Sequence, residues 1–76
     1  MANIEVPSDD EVVEVLAQLS AEYGERVTAR RLCEALIANN HPLRQSQLAI
    51  QRAAERGRLD VHADWTLSIA QEAIAA

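Results

Sequence analysis

Apolar positions recur along this chain at two different periods, and the change falls at Gly57. Before it the spacing is helical. Val12, Leu16, Leu19 and Tyr23 follow one another at intervals of four, three and four, one stripe of an α-helix. Leu32, Cys33, Leu36 and Ile37 share one side of a second helix. Leu43, Ser46, Ile50, Ala53 and Ala54 mark a third, whose narrow face of mostly small residues lets another helix come close. After Gly57 the period drops to two. Leu59 and Val61 alternate with Asp60 and His62, and Trp65, Leu67 and Ile69 alternate with Thr66 and Ser68. Two short alternating runs around His62-Ala63-Asp64 predict a β-hairpin with one buried face. Trp65 falls on that face and is expected to plug a small core.

The helix ends carry their own signals. Ser8 and Glu11 have the S-x-x-E spacing of a capping box, and Asp9, Asp10 and Glu11 sit where the helix dipole is positive. Gly24 predicts an end near residue 23. Thr28 is the expected N-cap of the second helix, with Arg30 and Glu34 one turn apart on its outer side. Asn39-Asn40-His41-Pro42 predicts a turn, because asparagine tolerates left-handed backbone and the residue before proline is pushed out of the helix. The third helix is expected from about Pro42 to Arg56, closed by Gly57. The fold class is therefore mainly α with a small β-hairpin. One domain is expected over residues 8–70, with an N-terminal arm at 1–7 and a C-terminal tail at 71–76. Ile4 and Val6 leave two roles open to the arm, a free segment or an extra edge strand.

Length narrows the chemistry. A chain of 76 residues buries about 60% of its unfolded surface, which leaves little room for a deep cleft as well as a core. Cys33 is the single cysteine, so no intramolecular disulfide can form and a reducing, cytoplasmic setting is expected. The first residues lack the basic and apolar regions of a signal peptide, and no apolar run approaches a membrane span. His41, His62 and Cys33 lie on three separate elements without the close pairing of zinc ligands. Two glycines make no phosphate loop, and the carboxylates crowd one helix end rather than facing each other. The expectation is a non-enzymatic protein with no cofactor and no metal.

Charge changes the picture. Residues 1–25 hold seven acids and no base, whereas residues 26–58 hold all seven arginines against Glu34 and Glu55 alone. The net charge of −5 therefore conceals a basic middle between acidic ends.

Helix, helix, turn, helix and hairpin, in that order, resemble a winged helix-turn-helix over roughly residues 9–69. The likeness rests on the segment from Ser46 to Leu59. Ser46, Ala49, Ile50 and Ala53 stand at its inward positions, Gly57 closes the helix, and Leu59 opens the wing. This segment is similar to the recognition helix of bacterial and phage winged-helix regulators. The resemblance implies that Arg44, Gln45, Leu48, Arg52 and Glu55, placed opposite Ile50, face the DNA major groove. There arginine can donate twice to guanine and glutamine can pair with adenine. It also implies phosphate contacts from Arg30, Arg31 and Arg58. A transcriptional regulator on duplex DNA, as a possible homodimer reading two half-sites, is the leading expectation. The alternative is a protein-binding adaptor or inhibitor. Leu48 would anchor it within a rim of Arg44 and Arg52, or the acidic first helix would dock a basic partner.

Overall fold

A computed structural model describes residues 6–24 and 26–70. Ser8 opens the first helix, α1 (Asp9–Tyr23), and its hydroxyl accepts the Glu11 backbone N–H at 3.1 Å. Gly24 follows at φ +106°, a backbone setting that glycine takes without a Cβ penalty. A two-residue strand, β1 (Val27–Thr28), leads straight into α2 (Ala29–Ala38). Thr28 serves both elements, since its hydroxyl accepts the Arg31 N–H at 3.1 Å as the N-cap of α2.

The α2 end is a Schellman turn. Asn40 takes φ +72°, its N–H donates to the Ile37 carbonyl, and the His41 N–H reaches back to Leu36. Pro42 then caps α3 (Leu43–Glu55), one residue later than expected. Gly57, at φ +76°, closes α3 in the same way, with N–H groups of Gly57 and Arg58 donating to Ala54 and Ala53. The hairpin of β2 (Leu59–Val61) and β3 (Thr66–Ile69) follows. Its partner β1, which the periodicity did not reveal, completes a three-stranded antiparallel sheet in the order β1-β3-β2. Val27 pairs with Leu67, and Leu59 with Ile69. Three helices and this small sheet are compatible with a winged helix-turn-helix shape.

The core lies where the three helices meet the sheet. Val12, Val15 and Leu16 from α1, Leu32 and Leu36 from α2, and Ala49 and Ala53 from α3 close over Val27, Leu59 and Leu67. Each fully buried leucine contributes about 1.5–3 kcal/mol, so this compact set supplies much of the stability. Val6 packs against the same cluster and Pro7 is buried, while Ile4 and the expected tail at 71–76 lie outside the described residues.

Several apolar positions that the pattern assigned to the interior are open. Trp65 is 77% exposed, Leu43 55%, Val61 52% and Ile37 41%, and Tyr23 also faces solvent. The Trp65 expectation fails for a local reason. Ala63, Asp64 and Trp65 form a three-residue loop: the Trp65 N–H donates to the His62 carbonyl, and the His62 N–H donates to that of Thr66. Such loops need left-handed backbone at their last residue, and Trp65 supplies it at φ +64°. That residue belongs to the loop, so the alternation that buries Leu67 does not extend back to it.

Candidate functional site

The buried stripe of α3 runs through Ser46, Ala49 and Ala53, while Ile50 is only half-buried at its edge. The open face is turned accordingly. At about 100° per residue, Arg44, Gln47, Gln51 and Glu55 stand opposite the stripe, and all four are exposed. Arg52 is exposed on one flank, whereas Gln45 and Leu48 are half-buried there. Leu48 is therefore not the centre of the outward face. Gln47 and Gln51 take places that the sequence reading gave to Gln45 and Leu48. Size alone would centre the buried face on the bulky Ile50, but the smaller Ser46, Ala49 and Ala53 sit deepest.

The seven arginines divide by what they touch. The Arg58 Nη2 lies 2.8 Å from Asp10 Oδ1, and the Arg56 Nη1 lies 3.0 Å from Asp9 Oδ2. These two pairs tie the start of α1 to the α3–β2 junction. Arg26 lies 3.9 Å from Asp64 across the loop end of the sheet. The Arg31 guanidinium sits 4.1 Å above the Tyr23 ring, a cation–π contact. Arg30, Arg44 and Arg52 have no ion pair among the described residues. Of the cations expected to meet phosphate, Arg58 and Arg31 thus already have partners within the chain, and Arg30 stands with Arg44 and Arg52 as open charge.

The hairpin tip is the most exposed apolar feature. Its loop is held by Asp64, whose Oδ1 accepts the Thr66 hydroxyl at 2.6 Å and the Thr66 N–H at 3.2 Å. The Thr66 hydroxyl, then its N–H and Arg26, hold the Asp64 carboxyl below its usual range. On the same hairpin His62 shares a hydrogen bond of 2.8 Å with the Ser68 hydroxyl. Trp65, Val61 at the end of β2 and Asp64 in the loop are all exposed, and Asp60 is exposed on the opposite sheet face, paired with Ser68. The position of Trp65 directly after the His62-Ala63-Asp64 turn was the sequence signal for this display.

A second open apolar feature lies between α2 and α3, a groove of about 500 Å³. Cys33, Ile37, Leu43 and Ile50 line it, with Arg30 and Glu34 beside them. Burial pushes the Cys33 thiol up, and the Glu34 carboxylate adds to the shift, so it stays protonated and weakly nucleophilic near neutral pH. His41 contacts the Glu11 carboxylate and joins the α2–α3 turn to α1. Among the described residues no three histidine, cysteine or acidic side chains gather to hold a metal, and no helix is long and apolar enough to cross a membrane.

The fold thus defines a small helical module with a sheet-borne hairpin and two exposed apolar features. No protein-family model, curated protein or solved structure matches the chain.

Proposed function

We propose that the protein is a non-enzymatic binding module whose hairpin engages another protein, with Trp65 as the anchor. The observation that carries this reading is the display of Trp65, 77% exposed at the loop and held in left-handed backbone. Bulky residues seldom adopt that backbone, and such outliers gather at functional positions. Tryptophan is also enriched among the residues that dominate protein interfaces. The flanks describe the partner. Val61 adds exposed apolar surface at the end of β2, and the hairpin carries the exposed carboxylates of Asp64, in the loop, and Asp60, on the opposite sheet face. An apolar cleft rimmed by arginine or lysine complements this surface. A phosphate backbone does not, because the two carboxylates repel it.

A second reading has its own support. Arg44 and Arg52 lack ion pairs among the described residues, and Gln47 and Gln51 stand between them on α3. These are the donors that read guanine and adenine edges, so a regulator on duplex DNA is the alternative.

One comparison separates the two. The full chain is titrated against a labelled mixed-sequence duplex at low and moderate salt, and proteins retained by the immobilised chain are compared between wild type and variants. The hairpin reading predicts a partner whose affinity falls about 30-fold or more with Trp65→Ala, as loss of a hot spot of about 2 kcal/mol implies. Arg52→Ala leaves that affinity unchanged. Salt-sensitive duplex binding that Arg52→Ala removes and Trp65→Ala spares overturns the hairpin reading in favour of α3.

A further inference from the structure

We propose that the α2–α3 groove seats a second copy of this chain, forming a two-fold dimer around α2. The groove opens between helices that are otherwise closed over the core, with Ile37 and Leu43 at its lip, 41% and 55% exposed. Two large aliphatic side chains beside a half-buried Ile50 form a contiguous apolar surface rather than scattered exposure.

Charge identifies the occupant. Arg30 and Glu34 both line the groove, one helical turn apart on α2, and neither has an ion pair among the described residues. A face with one cation and one anion at this spacing is complementary to itself. A two-fold axis crossing α2 between them runs the two helices antiparallel. It sets Arg30 against the partner's Glu34 and Glu34 against the partner's Arg30. That reciprocity is what an isologous interface requires. Ala29 lies at the opposite end of the same face from Ile37, and its small side chain leaves that end of the groove open. The contact has an apolar centre and a paired polar rim, the usual anatomy of an interface. Trp65 lines no part of the groove, so each copy keeps its hairpin tip for a different partner.

The test is sedimentation equilibrium of the full chain over a wide concentration range, with far-UV circular dichroism to verify the fold of each variant. Wild type is expected to move reversibly from the 8.4 kDa monomer towards twice that mass. Arg30→Glu and Glu34→Arg place like charges opposite each other twice per dimer, and each weakens association about tenfold. The double variant Arg30→Glu/Glu34→Arg restores the pairing in reversed sense and recovers most of the loss. Leu43→Asp, at an exposed position, abolishes the dimer while the monomer stays folded. A monomer at every concentration overturns the proposal and leaves the groove to a foreign chain or a small apolar ligand. So does a double variant no better than its parents, or a dimer lost on Trp65→Ala.

Discussion

Ser46 is fully buried on α3, and its hydroxyl has no hydrogen-bond partner. An unpaired buried hydroxyl costs about 1–3 kcal/mol, and its oxygen adds little volume to a methyl group. Ser46→Ala is therefore expected to raise stability by about 1 kcal/mol. In a domain of this size that lifts Tm by about 4–8 °C, readable by thermal denaturation. An unchanged or lower Tm would mean that the hydroxyl bonds within the helix. Trp65 stores strain of another kind. Left-handed backbone costs a non-glycine residue about 1–2 kcal/mol, so Trp65→Gly is expected to stabilise the fold while removing the anchor. Stability and partner affinity should move in opposite directions in this one variant, and a parallel loss of both would return Trp65 to a packing role. The sequence hid this residue because period-two alternation with Leu67 and Ile69 is the same whether or not the strand reaches back to residue 65. Only the loop's hydrogen bonds, from Trp65 to His62 and from Thr66 to Asp64, decide where the strand starts.

Elements whose boundaries are set by local chemistry were legible to within a residue, although the Glu11 carboxylate of the expected capping box turns to His41. The Ser8 and Thr28 caps and the Asn40 and Gly57 turns act over three to five residues, within reach of any sequence pattern. β1 was not, because two residues have no measurable period and Val27 is buried by its pairing with Leu67 together with its packing against α1 and α2. Thr28 bears the largest share of this hidden junction, capping α2 and pairing with Thr66 in the sheet. Thr28→Ala is expected to cost about 1–2 kcal/mol in chemical denaturation, the range of a lost N-cap. Thr28→Ser restores most of that loss by returning the hydroxyl. A smaller effect of Thr28→Ala, below a few tenths of a kcal/mol, would show that the sheet and not the cap fixes the start of α2. The α3 face was only half legible for a related reason. Periodicity gave a stripe, but the depth of Ser46, Ala49 and Ala53 depends on how closely α1 and the sheet approach them.

At the scale of the molecule, the charges that looked like separate acidic and basic blocks are partly one structure. Asp9 and Asp10 meet Arg56 and Arg58 across sequence separations of 47 and 48, which no local pattern can predict. The arginines were visible in the sequence, but their engagement was not, and it is engagement that decides how much positive field faces outward. Phosphate contacts set the salt dependence of DNA binding at a slope of about −0.9 per phosphate neutralised, so two captive arginines remove about two units from it. Asp9→Asn/Asp10→Asn releases both and shifts the net charge from −5 to −3, one unit for each acid neutralised. Exposed ion pairs contribute about 0–1 kcal/mol each, so the variant is expected to fold with modest loss of stability. Its affinity for mixed-sequence duplex at low salt should rise above wild type, and the plot of log affinity against log salt should steepen by up to about two units. Adding Arg56→Ala/Arg58→Ala should cancel both gains. If the double Asn variant binds DNA no better than wild type, the acidic start of α1 does not restrain these arginines. The low nucleic-acid affinity expected of the hairpin reading would then have to come from Asp60 and Asp64 on the hairpin itself.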